Sequence, residues 1–229
     1  MTARDAALIL EPERVRLPAN LSSLELFRRW AHSERFPERG RIDWVAGEVR
    51  IDMSPEDLNT HAAPKMAIAR DLSNRVEGGG RGMVFVDRAR LTDLASSLSS
   101  EPDVLVVFFE SIEAGRVRLV QRASKKAGRF IEVQGAADLV VECVSDSSEE
   151  KDRLRLPPLY CRAGVREYWL VDARKAEIEF VLNRRVGATY KPTAAGADGF
   201  YRSAVLGKSV RLVRLRKRAG LVPHRLEIR

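Results

Sequence analysis

The chain has 229 residues, 45% of them apolar, enough to bury a core as one domain with an extension. Its polar start, Met1-Thr2-Ala3-Arg4-Asp5, does not resemble a signal peptide, and no apolar run approaches the ~20 residues of a membrane span, so the expectation is a cytoplasmic protein with no membrane partner. The net charge of +8 is concentrated in residues 207–229, where eight basic residues face a single acid, Glu227; this suits a phosphate-contacting tail or a solvated edge strand, and not a basic cleft.

Residues 1–21 read as an irregular N-terminal segment broken by Pro12 and Pro18. Asn20, Ser22 and Ser23 then offer caps to an amphipathic helix carrying Leu24, Phe27 and Trp30. Residues 42–53, split at Gly47, predict a hairpin with Glu48 just past its turn. A long helix follows over residues 59–76, closed by Gly78-Gly79-Gly80-Arg81-Gly82. That cluster ends a helix instead of opening one after a strand, so it lacks the mechanics of a phosphate loop. Buried strands are expected at 83–86 and 104–109, a hairpin from 116–120 to 130–133, and core strands at 138–144 and 167–171. Between the last two lies a helix over 148–163, disturbed by Pro157-Pro158 and ended by Gly164. Residues 183–229 read as a β-rich basic C-terminal extension. Cys143 and Cys161 fall in apolar runs and suit core positions.

Two acids occupy places that disfavour charge. Asp103 opens the run Val104-Leu105-Val106-Val107, and Glu142 lies inside Leu139-Val140-Val141-Glu142-Cys143-Val144. An ionised acid in a buried strand needs a cation beside it. Magnesium or manganese held by both acids and a backbone carbonyl meets that need; a buried arginine bridge meets it equally. Ser147 and Glu150 are spaced as a capping box, which places Lys151 in the first helical turn, leaning back toward Glu142. Asp152 suits the same helix terminus. His61 and Lys65 share a helix face at i, i+4 and read as an ordinary surface pair. Asp87 ends a strand-like run and reads as a turn acid, and Tyr160 and Trp169 read as core.

Glu101-Pro102-Asp103, the stretch from Ala137 through Glu142 to Ser148, Lys151-Asp152, Tyr160, and Ala163-Gly164-Val165-Arg166-Glu167-Tyr168-Trp169-Leu170-Val171-Asp172 resemble the Uma-two family of restriction endonucleases, within the PD-(D/E)XK nuclease superfamily. Gly47-Glu48-Val49, Met53-Ser54-Pro55 and His61 extend the likeness over residues 22–182. The resemblance implies an α/β restriction-endonuclease-like core, with a central mixed β-sheet flanked by helices. It implies a magnesium-dependent endonuclease acting on DNA, with Glu48, Asp103, Glu142 and Lys151 as catalytic residues, Asp103, Glu142 and the Cys143 carbonyl as metal ligands, and His61 with Lys65 as candidates for contact with phosphate or the metal-bound water. The superfamily's lysine position two after the glutamate is Val144 here, and the later position used by many relatives is Leu156; Lys151 is the substitute. The alternative is a catalytically silent nucleic-acid-binding or oligomeric member, a dimer if a homo-oligomer. In either case Arg211, Arg214, Arg216, Lys217 and Arg218 form the candidate nucleic-acid tail.

Overall fold

The computed structural model describes residues 7–10, 13–18, 20–37, 40–121 and 128–229. Strands β1 (Ala7–Leu10) and β2 (Glu13–Arg16) pair antiparallel where an irregular segment was expected; each run is only four residues long, too short to stand out against the proline spacing. Helix α1 (Leu24–Ala31) starts at Ser23, whose hydroxyl accepts the Leu26 N–H at 3.3 Å. Strands β3 (Arg41–Val45) and β4 (Glu48–Asp52) form the predicted hairpin, and Ala46 and Gly47 both take positive φ in its two-residue turn, the backbone that best matches strand twist. A π-helical turn (Leu58–Ala62), headed by Asp57, runs into α2 (Ala63–Val76). Next come β5 (Gly82–Val86), β6 (Arg90–Asp93), β7 (Leu98–Ser100), β8 (Val104–Phe108), α3 (Phe109–Glu113), β9 (Val117–Gln121), β10 (Phe130–Gly135) and β11 (Leu139–Cys143). A second π-helical turn (Lys151–Arg155) leads into α4 (Leu156–Ala163). Pro157 and Pro158 fall in the first turn of α4, where a missing N–H costs nothing, and Gly164 closes the helix at φ 89°. The chain ends with β12 (Glu167–Asp172), β13 (Glu179–Val186), β14 (Thr189–Pro192), β15 (Tyr201–Ser203), β16 (Lys208–Arg214) and β17 (His224–Ile228).

The central mixed sheet has the order β14-β13-β12-β11-β8-β5, with β11 and β12 parallel and every other neighbour antiparallel. Helix α4 makes the crossover that a parallel pair requires. One face of this sheet presents Val104, Val106, Leu139, Val141 and Trp169 to Ile68, Leu72 and Val76 of α2 and to Val210 and Leu226 of the C-terminal strands. The other face presents Leu105, Val107, Val140 and Tyr168 to Leu156 and Leu159 of α4 and to Val45, Leu91 and Leu98 of a second sheet. That second sheet, β4-β3-β7-β6-β10-β9, covers a face where the sequence had suggested helices alone. Each such wholly buried aliphatic side chain contributes about 1.5–3 kcal/mol through apolar burial. The C-terminal sheet β15-β16-β17 packs on α2 and completes the first core layer, so the extension is structural as well as basic. Cys143 and Cys161 are buried free thiols. Among the described residues no helix is long and apolar enough to cross a membrane.

Candidate active site

Side chains alternate along a strand, so Asp103 shares the face of Leu105 and Val107, and Glu142 that of Val140. Strands β8 and β11 are antiparallel with Val141 opposite Val104; one step further along the same register places Glu142 opposite Asp103. Both acids thus emerge at one end of the central sheet, on the face turned toward the second sheet, and both are buried. Asp103 Oδ2 accepts the Cys143 N–H at 2.7 Å, and Tyr160 donates its hydroxyl to Glu142 Oε1 at 2.7 Å.

Arg41, the first residue of β3, joins the two acids. Its Nη1 donates to Asp103 Oδ1 at 3.1 Å and its Nη2 to Glu142 Oε2 at 2.9 Å, while Nε lies 3.4 Å from Asp43 Oδ2. Burial works against the charged form, yet Glu142, Asp103 and Asp43 together hold the guanidinium well above its ordinary range. Lys151 approaches from the helical side, with Nζ 3.4 Å from Asp152 Oδ1 and 3.7 Å from Asp43 Oδ2. Burial and Arg41 depress its pKa, but Asp152, Asp43 and Glu142 outweigh them, so the ammonium is stabilised. His61 completes the ring: Nε2 is 3.4 Å from Asp103 Oδ2 and Nδ1 is 3.4 Å from Glu56 Oε2. Burial lowers its pKa, and the hydrogen bond and charge of Asp103 raise it by more.

Although Asp103 and Glu142 share one arginine, they titrate in opposite directions. Burial raises the pKa of Asp103, but Arg41, His61 and the Cys143 N–H more than reverse this, and its carboxyl lies well below the usual range. Glu142 lacks the histidine and the backbone donor; burial, with Asp152 and Asp103 adding repulsion, pushes it up to about 7 despite Arg41. Asp152 is also raised, chiefly by burial, and neither of its carboxylate oxygens has a hydrogen-bond partner.

The cluster opens into a cleft of about 420 Å³ bordered by Arg41, Asp52, His61, Asp87, Asp103 and Ser147. Four buried acids, Asp43, Asp103, Glu142 and Asp152, face Arg41 and Lys151. His61 and Lys65 add two cations, which Glu56 and Asp87 offset. With every group ionised, the cluster is short of two positive charges. A hard divalent cation matches that deficit and the oxygen ligands present. Among the described residues, however, no three His, Cys, Asp or Glu side chains converge in a metal-holding group. The donor set therefore fits such an ion in charge and ligand type, while Arg41 holds one oxygen of each acid that the ion would need.

Several sequence expectations shift in this geometry. Glu48 does not join the cluster: it faces Val45 across the hairpin turn, at the opposite end of the strands from Arg41 and Asp52, and pairs with Arg50 at 3.5 Å. The hairpin acids that do reach the site are Asp43, which also accepts the Glu101 N–H at 2.9 Å, and Asp52, which lines the cleft. Lys151 enters the site, but its partners are Asp43 and Asp152 instead of Asp103 and Glu142. His61 and Lys65 are buried, not a surface pair, and Lys65 donates to Glu56 at 2.6 Å and to Asp87 at 2.8 Å. Asp87 is therefore a wall of the cleft and not only a turn acid. No capping box forms at Ser147 and Glu150, because the Ser147 hydroxyl donates to Asp52 Oδ2 at 2.8 Å and Glu150 pairs with Arg155. Of the Cys143 backbone, it is the N–H that meets Asp103. Arg41, Asp43 and the Tyr160 hydroxyl escaped the sequence reading; the alternation of Ile42 and Trp44 with Arg41 and Asp43 in a strand was their one available signal.

The tail cations divide in two. Arg211 donates to Glu227 and to the Asp198 carbonyl, within the extension, and Arg214 to the carbonyls of Ala173 and Ala176, which ties the C-terminal sheet to the body. Arg216, Lys217 and Arg218 are exposed on a loop. Asn59 accepts the Val222 N–H at 2.9 Å and donates to the Gly220 carbonyl at 3.2 Å, fastening that loop beside the helical turn that carries His61.

The profile of the Uma2 family, described as "Putative restriction endonuclease", matches residues 24–209. The chain belongs to this family. A crystal structure of a putative nuclease belonging to DUF820 from Anabaena variabilis superposes with a TM-score of 0.56 at 15% identity, covering 81% of this chain and 90% of that one. That likeness shows the fold, a restriction-endonuclease-like core. No curated protein matches the chain. The Uma2 profile takes in every acid and cation of the cluster described above, as well as β15 of the extension.

Proposed function

We propose that this Uma2 protein hydrolyses phosphodiester bonds in DNA in a magnesium- or manganese-dependent reaction, with Asp103 and Glu142 as the metal-holding acids. The observation that carries this reading is the convergence of Asp103 and Glu142, from adjacent strands, on one guanidinium beside an open cleft that Asp103 lines, in a cluster that is short of positive charge when every group is ionised. A bound divalent ion supplies Lewis acidity and a water that ionises near neutrality. The chain's own residues supply the rest. Asp103, held ionised by Arg41 and His61, is a permanent anionic ligand. Tyr160 fixes the orientation of Glu142 through a 2.7 Å hydrogen bond, and this second layer keeps the acid's rotamer in place. The ammonium of Lys151, anchored between Asp43 and Asp152, is the cation available to face charge developing on the phosphorus oxygens. His61, whose pKa Asp103 raises against burial, lines the cleft wall within 3.4 Å of Asp103.

The test is plasmid nicking by the purified full chain in magnesium and in EDTA, with Asp103→Asn as the control. Magnesium-dependent nicking that the variant loses supports the proposal. A second reading, a nucleic-acid-binding member without cleavage, is favoured by Val144 and Leu156 standing where related nucleases carry lysine; DNA binding with no nicking of DNA or RNA in either metal would select it.

A further inference from the structure

The protein holds two arginines of contrasting character at this end of the fold, Arg90 buried and Arg41 partly exposed. Arg90 is only 5% exposed; its guanidinium donates to the carbonyls of Ile42 and Ser99 as well as to Glu101, and it lies over the rings of Phe27 and Phe36 at 5.3 and 5.2 Å. Backbone acceptors and aromatic faces cannot be supplied with anything better than a guanidinium, so Arg90 is part of the frame. Arg41 has none of these anchors. Its partners are Asp43, Asp103 and Glu142, all carboxylates, its Nε makes no hydrogen bond, and its side chain retains 21% exposure on the cleft wall. It is held only by charge-assisted hydrogen bonds and ion pairs to these acids, and with every group ionised it leaves the cluster two charges short. A divalent cation at the same oxygens gains more from each acid than a guanidinium does, because the attraction scales with charge and both acids are buried.

We propose that Arg41 is a tethered cation that competes with a divalent metal for Asp103 and Glu142, so that metal uptake frees its guanidinium into the cleft. The inference rests on the reading of those two acids as metal ligands. Arg41 keeps the acids compensated while the metal is absent, since two close carboxylates without a cation would repel or take up a proton. Once released, it stands at the cleft wall beside its former partners. A planar fork of donors in that position suits bidentate contact with a phosphate, which couples metal loading to substrate grip through one side chain.

Manganese binding to the metal-free full chain, measured by calorimetry and by the loss of the free-ion electron paramagnetic resonance signal, tests this without any need for activity. Arg41→Ala is expected to bind manganese at least about tenfold more tightly than the parent, because the competing charge is gone. Adding Glu142→Gln to Arg41→Ala is expected to abolish the gain, which locates the ion. Arg41→Gln, neutral and still able to hydrogen-bond one acid, repeats the measurement should the alanine variant fail to fold, and circular dichroism reports which variants are native. Binding by the parent that neither folded variant improves overturns the competition and leaves the metal acids standing. Absence of manganese binding in the parent and in both variants overturns the metal reading with it.

Discussion

The central sheet buries acids at both of its ends, and the two ends treat them differently. At one end Glu167 accepts from the Trp169 indole N–H at 3.1 Å, the Ser203 hydroxyl at 2.7 Å and the N–H groups of Ala204 and Val205. Asp138 accepts the Phe108 N–H at 2.8 Å and the Ser111 hydroxyl, with Arg166 at 3.2 Å. Fixed donors, neutral around Glu167 and with Arg166 added at Asp138, surround these acids, so each serves as a structural clamp. At the other end Asp103, Glu142 and Asp152 share Arg41 and Lys151, and Asp152 has no hydrogen bond to either oxygen. Burial alone therefore does not mark a functional acid; burial without saturation does. The unsaturated end is also the carboxyl end of the parallel pair β11 and β12, where open α/β sheets place their ligands.

The contrast is sharpest under mutation. Asp103→Asn or Glu142→Gln is expected to lower magnesium-dependent nicking by on the order of 10²-fold or more, and Lys151→Ala to do the same through loss of one electrostatic stabiliser. Asp103→Asn and Lys151→Ala each take one partner from a buried ion cluster, so their nicking is compared at equal folded fraction; Glu142→Gln should cost little stability, because burial already disfavours that charge. Glu167→Ala should do the reverse. It strands four donors and releases the turn leading into β16, and chemical denaturation should register a loss of about 3 kcal/mol or more, whatever activity the folded fraction keeps. Nicking by Lys151→Ala at the parent rate would remove Lys151 from the chemistry and leave Arg41 and His61 as the remaining cleft cations.

A smaller effect separates the two ends by pH. In metal-free protein, Glu142 has a folded pKa raised to about 7, chiefly by burial, from its usual 4.5. The folded state then binds more protons than the unfolded state between those values, so this group's contribution falls as pH rises from about 4.5 to 7 and is level above. Asp152, raised for the same reason, adds to the slope. Thermal unfolding in EDTA is expected to show stability declining across that window in the parent and declining less in Glu142→Gln. An identical slope in both proteins would rule out Glu142 as its source.

Much of this was legible in the sequence because alternation and punctuation are local. The runs around Val104 and Val140 announced core strands, Gly47 and Gly164 marked a turn and a helix end, and Asp103 and Glu142 stood out as acids inside apolar runs. Lys151 was found by its place in the helix. What the sequence concealed was tertiary. Arg41 lies 62 and 101 residues from the acids it joins, and only the packing of the second sheet against the first brings β3 to them. Glu48 came from the resemblance carried by Gly47-Glu48-Val49, yet the strand length puts it at the opposite end of the hairpin from Arg41. The capping pattern Ser147 to Glu150 was sound local chemistry, overridden when Asp52 offered Ser147 a better acceptor. Strands β6 and β7 were missed since Arg90, Thr92, Ser99 and Ser100 are polar residues that the second sheet buries.

The smallest effect concerns the basic extension, where the same test of saturation applies to cations. Arg211 and Arg214 are engaged by Glu227 and by backbone carbonyls, so alanine at either should loosen the C-terminal sheet. Arg216, Lys217 and Arg218 have no side-chain partner among the described residues, and Asn59 holds their loop next to the cleft helix. Replacing these three with alanine should leave the unfolding midpoint in place, because no packed or bonded group is lost. If the loop meets DNA, each phosphate contact removed flattens the dependence of log affinity on log salt by about 0.9. The triple variant should therefore bind a DNA duplex more weakly at low salt, with a slope shallower by up to about 3, and bind manganese like the parent. A slope unchanged by the triple substitution would assign these side chains to solubility and leave the cleft cations as the only phosphate contacts. Comparing it with Arg214→Ala then separates the two kinds of arginine: one should change the salt slope at constant stability, and the other should change stability first.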